Sequence, residues 1–187
     1  MMILGIDPGS RKTGYAVVRI DHGASAAVQF GTIALTDLSS IPEKLVKIFE
    51  EINKLFDEYP IESVAVEAGF YGKNAQSAYK LGYARSAAVL VSALKRIEVV
   101  EYSPRKVKQA VTGHGNASKL QVKYMVKRVL HIGDGQKIRE DEADACAVAI
   151  CHAQNCGHGA TKYKSWKDFI DHNKNLVVRS KMRSLRA

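Results

Sequence analysis

Residues 2–20 read MILGIDPGSRKTGYAVVRI, and this stretch decides the fold. Met2 to Ile6 is a short apolar run that ends on an acid, Asp7. Asp7-Pro8-Gly9-Ser10 is turn chemistry, because Pro presets its φ and Gly tolerates a tight reversal. Gly14 to Ile20 is a second run, rich in Val and carrying Tyr15. A further turn, Asp21-His22-Gly23, leads to a third run, Ala26 to Leu35, with Gly31 inside it as a bulge or bend. Three strands joined by short turns predict an antiparallel meander.

The pattern changes after Leu35. Leu45, Ile48, Phe49, Ile52, Leu55 and Phe56 recur at helical spacing and predict a helix over Pro42 to Phe56, with Ser40 as its cap. Ile61 to Val66 reads as a strand ending at Glu67. An alanine-rich helix follows from Asn74 to Lys95, with Leu81, Val89, Leu90 and Leu94 on its packed face. Ile97 to Tyr102 is a strand. Ser103-Pro104 opens a short helix through Val111, and a Gly113–Asn116 loop follows. Ser118 to Leu130 and Glu140 to Gln154 complete the helices, the last packing through Ala143, Ala147 and Ile150. Strands linked by helices pair in parallel. The expected architecture is α/β: a mixed five-stranded sheet flanked by helices.

Of the 187 residues, 46% are apolar, enough to form a core. No run of about 18 apolar residues exists, so no membrane span is expected. The opening lacks the basic leader of a secretory signal. Cys146, Cys151 and Cys156 are too few and too evenly spaced for a disulfide framework or a zinc site, and they fit a reducing cytoplasm. The net charge of +9 is unevenly distributed. Residues 70–131 hold 12 Lys/Arg against 2 Asp/Glu, whereas residues 1–69 hold 6 against 10. A basic middle framed by acidic flanks suggests a polyanion held on one segment while carboxylates gather elsewhere.

Four acids stand out by position. Asp7 and Glu67 end the first and fourth strands, where open α/β sheets form their sites. Asp141 and Asp144 are three apart and share one helix face. If the first and fourth strands are neighbours and the last helix crosses them, the four carboxylates converge. Such a cluster repels itself without a cation, and hard oxygen ligands suit Mg²⁺ or Mn²⁺. Taken singly, each acid has an ordinary reading as a turn residue, a solvated strand end or a first-turn acid.

Ile6-Asp7-Pro8-Gly9-Ser10 with Thr13-Gly14-Tyr15-Ala16 resembles the opening of RuvC-type Holliday junction resolvases. Glu67-Ala68-Gly69-Phe70 with Lys73-Asn74 and Lys80-Leu81-Gly82 resembles that family's second signature. Tyr102 to Lys108 with Gly113 to Lys119 resembles the third, and Asp141-Glu142-Ala143-Asp144-Ala145 the last. The resemblance is collinear over residues 2–154. It implies a ribonuclease-H-like fold and a homodimer that makes paired, symmetric nicks in four-way DNA junctions during recombination and repair, leaving 5′-phosphate and 3′-hydroxyl ends. It also implies two Mg²⁺ ions per site, with Mn²⁺ as substitute, held by Asp7, Glu67, Asp141 and Asp144. Some relatives carry histidine at the position of Asp141.

The same resemblance gives the basic middle its task. Phe70 is the matching aromatic for stacking on a junction base, an interaction worth about 1–3 kcal/mol. Lys108 and Lys119 match lysines near the cut, with Lys119 steadying the scissile phosphate and counted with the catalytic set. Lys73, Asn74, Arg85 and Arg105 are further expected DNA contacts. His114 reads as an exposed loop histidine. The helix from Asn74 is the expected dimer interface, and a branch-migration motor is an expected partner. Residues 1–156 read as the nuclease domain and 157–187 as a basic extension. A junction-binding module without catalysis would need a missing acid, and none is missing. An actin-like or sugar-kinase ATPase would need a second lobe and a second phosphate loop.

Overall fold

The computed structural model describes residues 1–68, 75–133 and 135–156. Five strands form one sheet: β1 (Met2–Asp7), β2 (Lys12–Asp21), β3 (Ala24–Ala34), β4 (Ser63–Glu67) and β5 (Val99–Tyr102). The helices are α1 (Ile41–Glu58), α2 (Ala75–Leu94), α3 (Pro104–Thr112), α4 (Lys119–Val129) and α5 (Glu140–Asn155). The spatial order is β3-β2-β1-β4-β5. β1, β2 and β3 form the antiparallel meander, and β4 and β5 join in parallel beside β1. The mixed sheet is the one the sequence predicts.

Side chains alternate between the two faces of each strand. Leu4, Ile6, Val17, Val64 and Val66 face one way and form a core with Ile48 and Ile52 of α1 and Ala84, Ala88 and Val91 of α2. Ile3, Ala16, Val18, Ala65 and Tyr102 face the other way and pack on α5, with α3 and α4 beyond it. β1 is therefore buried on both faces, which explains its unbroken apolar run.

Local chemistry sets the helix starts. The Ser40 hydroxyl accepts from the Glu43 amide at 3.3 Å, and the Glu43 carboxylate accepts from the Ser40 amide at 3.0 Å. Ser118 and Gln121 cap α4 in the same reciprocal way, whereas at α3 the Ser103 hydroxyl only accepts from the Lys106 amide. At α5 the Glu142 carboxylate takes the amide of Arg139 at 2.7 Å and the Thr32 hydroxyl at 3.4 Å, which ties the helix start to β3.

Two expectations are corrected. The bulge in β3 is not at Gly31: the register slips between Val17 and Val18, leaving Val28 as the extra residue. Gly31 instead leaves room for the Tyr15 ring, whose hydroxyl stands 2.5 Å from where a Cβ would sit. On α2 the packed residues are Ala84, Ala87, Ala88 and Val91, while Leu90 and Leu94 are 54% and 65% exposed. The small residues let α2 approach closely, and that turns the leucines outward. Cys146 and Cys151 are buried, and burial raises both thiols, that of Cys151 to about 11.

Candidate active site

The sheet alternation that packs α5 also positions the acids. Ile3, Gly5 and Asp7 alternate onto one face of β1, and Ser63, Ala65 and Glu67 onto the same face of β4. The two strands are parallel neighbours, with Ile6 opposite Val66, so Asp7 and Glu67 emerge side by side at the strand ends. α5 lies across this face. Its start meets β2 where the Asp141 carbonyl touches Gly14, the residue paired with Asp7. Further along, the Ala145 carbonyl and Ala149 rest on Gly5. Any Cβ at Gly5 or Gly14 would push the helix away. Glycines inside strands signal this kind of close approach, and the sequence reading did not use that signal.

The electrostatics show that the acids are gathered. The Asp7 carboxyl is pushed up to about 8, first by burial and then by the charges of Glu67, Asp144 and Asp141. Glu67 rises to about 7, by burial and by Asp144, with Lys108 and Lys119 opposing. Asp144 is also raised, mainly by burial. The Lys119 ammonium, on the first residue of α4, lies 3.5 Å from Asp144 Oδ2 and 3.4 Å from Glu140 Oε2. Asp144 in turn raises Lys119.

Among the described residues, no three His, Cys, Asp or Glu side chains close around a common point. Lys119 is the charged neighbour of Asp144. The donor chemistry fits a hard divalent cation: the acids are partly buried, all offer oxygen, and Asp7, Glu67 and Asp144 are each made harder to ionise by burial and by neighbouring acids.

The expected DNA contacts fall in several places. Lys108 is near enough to Glu67 to lower its pKa. Arg105 is exposed, with its stem against Gly115. Arg85 is bound to Glu101 of β5, so it joins α2 to the sheet as well as facing solvent. His114 is exposed in its loop, as expected. Phe70, Lys73 and Asn74, and the 157–187 extension, lie outside the described residues. Glu140 was missed by sequence reading, although it lies four residues before Asp144 on one helix face and shares Lys119 with it.

Comparison with known proteins identifies the family and the fold. The family model described as crossover junction endodeoxyribonuclease RuvC matches residues 3–152. The crossover junction endodeoxyribonuclease RuvC of Salinibacter ruber is 39% identical over 178 residues, covering 95% of this chain and 99% of that protein. That alignment is long enough to reach into the basic extension, so the extension has a counterpart there. The Thermus thermophilus RuvC structure superposes with a TM-score of 0.76 at 29% identity, covering 85% of this chain and 97% of that one. T. thermophilus RuvC in complex with Holliday junction substrate gives 0.75 at 26% identity, with the same coverage. The fold is accordingly ribonuclease-H-like.

Proposed function

This chain belongs to the RuvC family, and we infer that it is a crossover junction endodeoxyribonuclease that resolves Holliday junctions by hydrolysing phosphodiesters. The observation that carries this reading is that Asp7 and Glu67 emerge side by side at the ends of two parallel strands, within electrostatic reach of Asp144 on α5. There, burial and mutual charge raise all three.

Catalysis in this family depends on a divalent cation. Asp7, Glu67, Asp141 and Asp144 would hold it here, as two Mg²⁺ ions with Mn²⁺ as substitute. Once bound, such ions acidify the attacking water and offset the charge that builds on the phosphate. The carboxylates would orient the ions, and Asp7 and Glu67, whose carboxyls burial and neighbouring charge raise, would give up protons on binding them. Lys119 is positioned to leave Asp144 for a non-bridging phosphate oxygen, donating a charge-assisted hydrogen bond. Lys108 adds positive potential beside Glu67. No Ser or Cys nucleophile is required, because water attacks directly and leaves a 5′-phosphate and a 3′-hydroxyl.

Phe70, Lys73, Asn74, Arg85, Arg105, Lys108 and Lys119 form the proposed DNA surface. A twofold homodimer would match the two equivalent strands of a junction. Exposed Tyr83, Leu90 and Leu94 along one side of α2 support that interface. Residues 1–156 are proposed as the nuclease domain, with 157–187 as an added DNA contact. Cytoplasmic DNA and a branch-migration motor complete the expected setting.

The test is a synthetic four-way junction with end-labelled strands, incubated with Mg²⁺, with EDTA, and against a linear duplex. Symmetric, ligatable, Mg²⁺-dependent nicks are expected. Asp7→Asn is expected to lower cutting by about 10³-fold or more, with junction affinity within about threefold of the parent, since only transition-state stabilisation is removed. Tight binding without cutting by the parent chain would make it a junction-binding module instead.

A further inference from the structure

Among the described residues, α5 carries one buried histidine. His152 is 1% exposed and has a partner at each ring nitrogen. The Ser63 hydroxyl meets Nε2, and the Tyr102 hydroxyl meets Nδ1 at 2.9 Å. Cys156 Sγ, one turn on, lies 3.2 Å from Nε2 and 3.4 Å from Nδ1 and covers the ring. A neutral imidazole has one donor and one acceptor, and each hydroxyl can act as either, so the bridge is satisfied in both tautomers. It ties α5 to β4 and β5 together.

Elsewhere α5 is held at its start by Glu142 on the Thr32 hydroxyl and near its end by Gln154 on the Ala110 carbonyl of α3, and much of the surface it lays on the sheet is alanine. Ala143, Ala145, Ala147, Ala149 and Ala153 are small, and they pack on Gly5, Ala16 and Ala65. Dispersion between such smooth surfaces changes little when a helix slides or turns slightly. A buried polar group with two directional partners discriminates sharply, because a shift leaves it unsatisfied. The geometry relates this to the acids. α5 runs antiparallel to β4. From Asp144 to His152 is about 12 Å along the helix, at 1.5 Å per residue. From Glu67 back to Ser63 is about 13 Å along the strand, at 3.3 Å per residue. The two spans match, so holding His152 on Ser63 sets Asp144 against Glu67. Tyr102 makes the same link from the other side: it pairs with Glu67 in the β4–β5 register, and its carbonyl accepts from the Ala68 amide at 2.8 Å.

We propose that the Ser63–His152–Tyr102 bridge is a positioning device for the reaction, fixing the α5 carboxylates relative to Asp7 and Glu67 at the spacing a divalent cation requires. His152 touches neither substrate nor ion. It acts through Asp144 and Asp141. The inference rests on the nuclease reading above.

The experiment replaces all three polar groups at once, as Ser63→Ala, Tyr102→Phe and His152→Leu. Removing both sides of a buried hydrogen bond is close to neutral for stability, so this triple variant is expected to melt near the parent. The probe is Mn²⁺ alone, its affinity for the free protein read by electron paramagnetic resonance. A second readout is the Mg²⁺ concentration that gives half-maximal junction cutting. Mn²⁺ affinity is expected to fall about tenfold. The Mg²⁺ requirement is expected to rise by the same factor, with the rate at saturating Mg²⁺ within about threefold of the parent and junction affinity in EDTA unchanged. His152→Gln, which keeps a donor and an acceptor, is expected to recover part of the Mn²⁺ affinity. A folded triple variant with parental Mn²⁺ affinity and Mg²⁺ requirement would overturn the proposal and leave the bridge as packing alone. If the triple variant does not fold, Tyr102→Phe removes a single hydroxyl and carries the test, with about a threefold loss of Mn²⁺ affinity expected and none overturning it. A parent chain that binds Mn²⁺ but never cuts would overturn the nuclease reading, while the Mn²⁺ affinities would still decide the bridge.

Discussion

The two faces of the sheet are made by the same strands from different residues. Toward α1 and α2 the strands present Leu4, Ile6, Val17, Val64 and Val66. Toward α5 they present Ile3, Val18 and Tyr102 interspersed with Gly5, Gly14, Ala16 and Ala65, and then, at the strand ends, Asp7 and Glu67. The first face is filled with large side chains and contributes mainly stability. The second is shaved down so that a helix backbone can rest on it. The difference teaches why the small residues are there. Carboxylates on short side chains meet across a strand and a helix only if the two backbones come close. Both faces carry buried core, but only the α5 side also assembles the acids, so substitutions at its small residues should separate site assembly from stability.

The largest effect is expected from Gly5→Val. Its side chain would occupy the space of the Ala145 carbonyl and the Ala149 methyl. Cutting is expected to fall by about 10³-fold or more, because displacing α5 removes Asp141 and Asp144 from the cluster; single-turnover cleavage measures this. The counterpart on the other face is Ile6→Ala. It is expected to cost about 2–4 kcal/mol in urea unfolding, while the folded fraction cuts within about threefold of the parent rate. Equal losses of activity for the two variants would erase the distinction between the faces.

A smaller effect is expected from pH. Asp7 and Glu67 stand at about 8 and about 7, both above their unfolded values. A raised carboxyl binds more protons folded than unfolded, so its contribution to stability is present at low pH and lost as pH rises through the folded value. The metal-free chain is therefore expected to melt at lower temperature at pH 8.5 than at pH 5.5. Mg²⁺ should restore more of the melting temperature at the higher pH, and Asp7→Asn should flatten the profile. The smallest effect is expected at Arg85. Its partly exposed pairing with Glu101 is worth about 1 kcal/mol or less. Arg85→Gln should shift melting slightly and, as a test of its proposed DNA contact, reduce the salt dependence of junction binding by about one unit of log–log slope.

Much of this was legible in the chain. Turn residues at Pro8-Gly9 and Asp21-His22-Gly23, and helical spacing from Leu45 to Phe56, placed the early elements within a few residues of where they lie. Four acids, carried by three of four signatures in order, nominated the proposed site. The side of α2 that packs was not legible, because alanine and leucine are both apolar and only the fit against α1 distinguishes them. Neither was the position of the β3 bulge, since Gly31 and Val28 are both plausible irregularities until the opposing strand is present. Glu140 and His152 gave no local signal, because their partners lie 21 and 89 residues away in Lys119 and Ser63.

The sequence by itself determined the element order and the mixed sheet, because periodicity and turn chemistry are properties of neighbouring residues, and its resemblance to the RuvC family nominated the four acids. Only the tertiary structure decided that Asp7 and Glu67 share a face with α5, that two glycines let the helix down onto the sheet, and that Lys119 lies against Asp144. Those outcomes depend on which surfaces approach within hydrogen-bonding distance, and burial then sets how strongly their charges act on one another.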